Sequence, residues 1–371
     1  MMPERLATRN LDKLRQTMMT CTYCGFCKSV CPTFEAVGWD GSVARGRIML
    51  AYGLAQGDLP ADESVAEYIF QCTTCKDCER RCPSGIEVVD VVEGCRRDLV
   101  AADRMLPQHR RVRESVRKHG NPYGEERSVA EALSTEKKKA RLGYFAGCTA
   151  AYRNPAIAKA AMSVLSKLDE DCTLVDELCC GSVLQRIGCP EDEVAKIMRR
   201  NVDSIAAQGV DEVVFSCAGC YRMFKEEYPK HVKVPFKVTH MSELLAAKKP
   251  RLAALDKKIT YHDPCHLGRH SKVYEAPREV LRSVPHAKYQ EMPRSRELAG
   301  CCGGGGGVRS AYPELSRKIA ARRVDDAKPA DILVTTCPFC VANLRAGKEE
   351  AGAEIEILDL VELVDRLVQE G

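Results

Sequence analysis

Two cysteine runs carry the most specific chemistry in the sequence. Cys21, Cys24, Cys27 and Cys31 lie in CTYCGFCKSVCP, and Cys72, Cys75, Cys78 and Cys82 lie in CTTCKDCERRCP. Both read C-x2-C-x2-C-x3-C-P. With that spacing three thiolates wrap one [4Fe-4S] cube and the fourth reaches across to a second. The expected ligand sets are therefore crossed: Cys21, Cys24, Cys27 and Cys82 on one cube, Cys72, Cys75, Cys78 and Cys31 on the other. Pro32 and Pro83 turn the chain just after each crossing ligand. Zinc sites also use Cys-x2-Cys pairs, but two complete copies ending in Cys-Pro favour iron–sulfur.

A second set of thiols forms a repeat. Cys148 is followed by the pair Cys179 and Cys180 in CCG, then by Cys217 and Cys220 in CAGC. About 120 residues later the order recurs with Cys265, then Cys301 and Cys302 in CCG, then Cys337 and Cys340 in CPFC. The segments that follow match as well, VTHMSELLAA against ILDLVELVDRL. This is an internal duplication. Five thiolates over-supply a zinc ion, which takes four ligands. An iron–sulfur assembly of non-standard shape can use five, including an adjacent pair. Zinc at one station, or unliganded structural thiols, remain as alternatives. Cys95, Cys172 and Cys189 stand outside both patterns and read as small buried residues.

The elements that position these stations follow from periodicity. In the first repeat LGYFAG, CTLVDEL and EVVFS read as strands, with PAIAKAAMSVLSKL and EDEVAKIMRRNVDSIAAQ as helices between them. The second repeat gives KITYHD, YQEM, DILVTT and IEILDL as strands, with APREVLRSV and PELSRKIAARRVDDA as helices. Alternation of this kind implies α/β lobes with parallel sheets. Each cysteine station falls at or just after a strand's C-terminal end, the edge where open α/β sheets bind ligands. Between the two ferredoxin-like runs, Ile48, Leu50, Ala51 and Leu54, then Val65, Tyr68 and Ile69, recur at helical spacing. The expected fold is thus a multidomain α+β and α/β chain. A helical ferredoxin-like domain with two clusters spans 1–105 and a basic linker 106–141. Two duplicated lobes follow at 142–255 and 256–371.

Composition agrees. A length of 371 residues suggests two or three domains. Twenty-one cysteines without a secretory-type N-terminus point to a reducing, cytoplasmic compartment, with metal-binding or catalytic thiols rather than a disulfide scaffold. A net charge of +4 gives no footprint for nucleic acid. No apolar run is long enough to span a bilayer.

The arrangement C…CCG…CxxC, duplicated and joined to a two-cluster ferredoxin module, resembles the CCG-domain iron–sulfur proteins, of the heterodisulfide reductase D type. The resemblance covers the chain from about Met18 onward. It implies that Cys148, Cys179, Cys180, Cys217 and Cys220 hold one non-cubane [4Fe-4S] cluster. It implies the same for Cys265, Cys301, Cys302, Cys337 and Cys340, with zinc left open at the first unit. In that family such clusters reduce the disulfide of coenzyme M and coenzyme B. The run CGFCKSVCPTF followed by RGRI looks more like the iron–sulfur component of glycolate oxidase. The alternative reading is therefore an electron relay for a flavoprotein that oxidises glycolate or lactate, or an adaptor to a membrane cytochrome.

The remaining signals are individually weaker. Gly303, Gly304 and Gly305 open a run of glycines that extends to Gly307 beside Cys302. Such a run lets backbone approach a cluster or substrate closely, or forms a flexible turn. No dinucleotide or phosphate-loop fingerprint occurs, so electrons are expected from a partner, either a membrane cytochrome b or a flavoprotein. The chain would then sit at the inner face of the membrane through that partner, acting on a small thiol or disulfide. His262, His266 and His270 surround Cys265, and His266 is the first candidate for proton delivery. Orienting a loop is the competing role. Arg269 and Arg309 are candidates for receiving an anionic group. The Arg- and Lys-rich stretch 96–141 reads as a solvated helix and connection. LATRNLDKLRQTM reads as one amphipathic helix that docks on a partner or covers the ferredoxin core.

Overall fold

The computed structural model describes residues 6–135 and 138–369. Helices Ala44–Gln56 and Glu63–Phe70 form where the apolar spacing predicts them, with Ile48, Ala51, Leu54, Val65 and Ile69 buried. Gly57 ends the first in the left-handed conformation, and the Asp62 side chain caps the second by accepting from Val65 N. Both pack against helix Val88–Ala101. Together they form the helical body that surrounds the two ferredoxin-like runs.

The N-terminal segment is not one helix. It forms Arg9–Lys13 and Arg15–Met19, broken at Leu14. The first piece follows Val88–Ala101 and the second follows Ala44–Gln56, so the chain bends to stay on both. The Asp98 carboxylate accepts from Asn10 N at 3.0 Å and Leu11 N at 2.9 Å, anchoring the first piece. The segment therefore covers the ferredoxin core.

The stretch 96–141 is also less solvated than its charge suggests. Arg96 is fully buried within helix Val88–Ala101. Helix Pro107–His119 turns Arg113 and Arg117 onto Glu193 of the first repeat. Glu136 and Lys137, part of EKKKAR, lie outside the described residues.

Each repeat forms a four-stranded, all-parallel sheet. In the first, β1 (Leu142–Phe145), β2 (Cys172–Leu174), β3 (Glu212–Phe215) and β4 (Lys237–His240) lie in the order β2-β1-β3-β4. In the second, β5 (Lys258–Tyr261), β6 (Lys288–Tyr289), β7 (Ile332–Thr335) and β8 (Glu356–Asp359) lie in the matching order β6-β5-β7-β8. The strand Lys237–His240 is not legible in the sequence. Lys237 is exposed and the segment has no apolar run, so only its pairing with β3 makes it a strand. The YQEM strand reduces to Lys288–Tyr289.

The duplication extends to side chains. Tyr144 Oη lies 2.8 Å from Ser216 Oγ, and Tyr261 Oη lies 2.8 Å from Thr336 Oγ1. The helices after the last strands both begin with a capping box, His240 with Glu243 and Asp359 with Glu362. The two units pack reciprocally. Helix Pro155–Lys167 of the first lies on Leu360–Leu367 of the second, and Glu275–Arg282 of the second lies on Met241–Lys248 of the first. Lys167 Nζ bonds Asp365 Oδ1 across this contact at 2.9 Å. Among the described residues no helix is long and apolar enough to cross a membrane.

Candidate functional site

The two ferredoxin-like runs fold into one another. One small cavity is lined by Cys21, Cys24, Cys27 and Cys82, with Cys78 at its edge. A second is lined by Cys31, Cys72, Cys75 and Cys78. The crossing expected from the spacing is thus the crossing of the chain, because helix Asp77–Arg81 packs on the turn Phe26–Ser29. The two sets differ in exposure. Cys24 is exposed at the surface, whereas Cys31, Cys72 and Cys75 are buried.

In each repeat the five thiols form one connected group. Cys179 contacts Cys148 and Cys180, Cys180 contacts Cys220, and Cys220 contacts Cys217. In the second unit Cys301 contacts Cys265 and Cys302, Cys302 contacts Cys340, and Cys340 contacts Cys337. Thiol contacts and burial push Cys148, Cys180, Cys220, Cys301 and Cys340 far above the ordinary thiol range. Thiol neighbours hold Cys179, Cys217 and Cys302 down. Five thiols packed this closely, four of them buried in each unit, cannot all ionise without a cation among them, so the donor sets fit a metal centre.

Two further contacts connect the groups. Cys75 of the inner ferredoxin set meets Cys301 of the second unit. Cys217 of the first unit meets Cys337 of the second. The thiols therefore connect the inner ferredoxin-like set to the second unit and the second unit to the first. Five stations follow closely on strand ends, but Cys301 and Cys302 do not. A loop and the short turn Arg296–Leu298 separate them from β6 and carry them to Cys75.

A cavity of about 680 Å³ opens between the two units. It is lined by Cys148, Cys179, Cys180, Cys217 and Cys220 of the first and by Cys265, Cys302, Cys337 and Cys340 of the second. Arg153, Arg186, Arg309 and Arg345 also line it, and among the described residues no acidic side chain does. Arg309 lies over the Phe339 ring at 5.7 Å, and its Nη1 has no partner. Arg269 is elsewhere: it is buried and donates to Cys75 O at 2.7 Å and Ala299 O at 2.5 Å. It is therefore not available to a ligand in the cavity.

The three histidines separate in role. His266 lines the cavity with Nε2 unpartnered, and burial, helped by Arg186, pushes its pKa down to about 3. The ring is thus neutral near pH 7, able to donate or accept a hydrogen bond. His270 Nε2 bonds Thr74 O at 3.0 Å and ties the second unit to the ferredoxin-like loop. His262 offers a ligand atom within 4.8 Å of those of Cys302 and Cys340. This mixed His/Cys trio sits in the second unit, whereas the expectation from sequence leaves zinc open at the first. The first unit has Phe145 at the corresponding position before Cys148.

The glycine run is a close-approach device rather than a loose turn. A Cβ on Gly306 would lie 2.2 Å from Cys72 O, and one on Gly305 would lie 2.7 Å from Thr73 O. Gly304, Gly305, Gly306 and Gly307 also line the cavity. The run is the wall between the cavity and the inner ferredoxin set. Gly306 has a φ of +64° as well. Gly306→Ala is expected to cost more than about 2 kcal/mol, through left-handed strain and displacement of the 72–73 backbone. A fall in thermal midpoint together with a changed spectrum of the inner cube checks this.

Sequence reasoning missed the buried arginines that fasten these parts. Arg96 donates to Ile69 O, Phe70 O, Cys72 O, Arg186 O and Gly306 O. One signal was available: Arg96 stands on the apolar stripe that Val92 and Leu99 define on the same helix.

Comparison with known proteins decides the family. A cysteine-rich domain family (CCG) matches residues 142–225 and 259–345, and a 4Fe-4S dicluster domain family matches 17–86. The D component of dihydromethanophenazine:CoB–CoM heterodisulfide reductase from Methanosarcina acetivorans is 37% identical over 96% of both chains. The chain belongs to the heterodisulfide reductase D family. It is a heterodisulfide-reductase-D-like iron–sulfur oxidoreductase, with two cubane clusters implied by the dicluster domain and further metal centres at its CCG units. The B component of the CoM/CoB fumarate reductase from Methanothermobacter marburgensis is also similar, 29% identical over 93% of this chain and 71% of its own length. A hypothetical protein from Helicobacter pylori shares the fold, with a TM-score of 0.58 at 9% identity over 95% of this chain and 70% of that one.

Proposed function

We propose that this heterodisulfide-reductase-like chain is the catalytic iron–sulfur component that reduces an organic disulfide, of the CoM-S-S-CoB type, in the cavity between its two CCG units. The observation that carries this reading is the shared cavity, lined by thiols of both units. A disulfide has two sulfurs to separate, and its reduction consumes two electrons and two protons to give two thiols. A cavity with one five-thiol group on each side suits that division.

Cys21, Cys24, Cys27 and Cys82 would hold the outer cube, and Cys31, Cys72, Cys75 and Cys78 the inner one. Cys148, Cys179, Cys180, Cys217 and Cys220 would hold one non-cubane [4Fe-4S] cluster. Cys265, Cys301, Cys302, Cys337 and Cys340 would hold the second. Such clusters, when bound, exchange single electrons and offer iron to substrate sulfur. Arg309, with an unpartnered amino group at the cavity, binds an anionic substituent of the substrate. The glycine wall that separates cavity and inner set is at Gly305 and Gly306, with Gly304 on the cavity side, whereas Gly303 of the expected trio packs against Ile319 and Ser316 instead. His266 hydrogen-bonds a sulfur released in the cavity as a neutral imidazole. Exposure of Cys24 makes the outer cube the entry point for electrons from a redox partner, either a membrane cytochrome b or a flavoprotein.

EPR of anaerobically purified, oxidised protein tests this, with iron and sulfide quantified on the same sample. A new paramagnetic signal is expected only when coenzyme M or coenzyme B thiol is added. Full iron loading without a thiol-dependent signal would sink the disulfide reading and leave an electron relay for a flavoprotein dehydrogenase.

A further inference from the structure

Three arginines surround the inner ferredoxin set, each at most 5% exposed. Arg47 Nη1 lies 3.9 Å from Cys31 Sγ, while its Nη2 donates to Thr33 Oγ1 at 3.0 Å and its Nε to Tyr68 O at 2.8 Å. Arg96 donates to Cys72 O at 2.8 Å. Arg269 donates to Cys75 O at 2.7 Å. The hydrogen bonds of all three go to carbonyls, a hydroxyl and a thiol, not to carboxylates. Of the acids nearby, Asp77 also faces Arg269 and Glu93 also faces Arg96, but each makes its ion pair with another cation, and Arg47 has no such acid beside it among its hydrogen-bond partners. Asp77 pairs with Arg294 at 2.7 Å, Glu93 with Arg186, and Glu79 with Lys76 at 3.3 Å. The outer set is different. Arg45 and Lys28 near it both bind Asp40, and these side chains are 26% to 50% exposed.

Reduction adds one negative charge to a cluster. A buried positive charge within a few ångströms favours that reduced form, and low dielectric makes the effect larger than at the surface. Paired, solvated charges are screened. We propose that Arg47, Arg96 and Arg269 hold the inner cube at a higher reduction potential than the outer cube, so that an electron entering at Cys24 runs inward. This rests on the two cubane ligand sets assigned above. With clusters bound at the two sets, the step would be a one-electron exchange in which the outer centre gives up the electron that the inner one takes. The inner cube is also the one that meets the second CCG unit, through Cys75 and Cys301.

The test is an EPR-monitored potentiometric titration of the full chain, loaded with iron and sulfide under argon and reduced with dithionite. Cys24→Ser marks the outer cube, because an oxygen ligand alters only that signal. In the otherwise native protein the inner signal is expected to appear first as the potential falls. Arg47→Gln should make the inner cube roughly tenfold less reduced at a given potential, a shift of about 59 mV for one electron. The outer signal should stay in place, and Arg47→Lys should restore most of the shift. Reduction of the outer cube first overturns the proposal, as does a variant that moves both signals equally or neither. Where Arg47→Gln fails to load, the order of reduction in the unsubstituted chain, with the outer signal assigned from Cys24→Ser, decides alone. Loss of both cubane signals, by contrast, would fault the ligand assignment rather than the arginines.

Discussion

Arg96→Ala is expected to lower the thermal midpoint of the protein by about 5 °C. The guanidinium is fully buried and serves five carbonyls drawn from three parts of the chain: Ile69, Phe70 and Cys72 around the inner cube, Arg186 of the first CCG unit, and Gly306 in the cavity wall. Removing it leaves those acceptors without a donor where water is excluded. Unsatisfied buried groups cost about 1–3 kcal/mol each, and losing a buried charged partner costs about 3–5 kcal/mol in all. For a chain of 371 residues about 1.3 °C accompanies each kcal/mol. Lysine has three donors on one nitrogen and cannot reach five acceptors, so Arg96→Lys should recover only part of the loss. Burial lowers the Arg96 pKa to about 10, which keeps the charge at neutral pH. Differential scanning calorimetry of both variants, with iron content matched, checks this. A midpoint within about 2 °C of the parent would show that the carbonyls find water instead.

Cys301→Ala is expected to remove about four irons and as many sulfides per chain while leaving the ferredoxin-like pair intact. Cys301 touches Cys265 and Cys302 within its own unit and Cys75 of the inner set. It is thus both a member of the second five-thiol group and that group's contact with the inner ferredoxin-like set. Loss of metal-site partners lowers activity by about 10–100-fold even where no ligand is removed, so disulfide reduction should fall by at least that much. Cys189→Ala provides the control. Cys189 is buried, outside both cysteine patterns, and has its thiol pushed up to about 12 by burial. It should retain full iron. Iron and sulfide assays beside EPR of the reduced cubes read the result directly. An unchanged iron count in Cys301→Ala together with zinc in the parent protein would mean that the second unit holds zinc, for which His262, Cys302 and Cys340 already supply three donors, whereas an unchanged count without zinc would mean that the other four thiols hold the cluster.

Much of this protein is legible in its sequence because its chemistry is local in the chain. In Cys-x2-Cys-x2-Cys-x3-Cys-Pro three thiols face one cluster within seven residues and the fourth reaches to the other, so spacing alone specifies each run and its crossing. The duplication is legible for a similar reason. Cysteine stations are tied to strand ends, and strands and helices announce themselves by periods of 2 and 3.6 residues. The strand Lys237–His240 is hidden because it has no apolar run and depends on its neighbour β3.

What only the tertiary structure decided is everything that depends on distant segments meeting. Periodicity places Cys217 and Cys337 at corresponding points of two repeats. It does not say that the two sheet edges close on one cavity, which the reciprocal packing of helices Pro155–Lys167 and Leu360–Leu367 brings about. Arg269 stands four residues from Cys265 and reads as a ligand for an anion, yet the fold spends it on Cys75 O and Ala299 O. Gly306 reads as part of a flexible run, yet it lies against Cys72, more than two hundred residues away in the chain. Arg47 and Arg96 carry a charge on apolar helix faces. Sequence can mark that as costly, but only the acceptors converging on each guanidinium, carbonyls on Arg96 and a carbonyl, a hydroxyl and a thiol on Arg47, show how the cost is met.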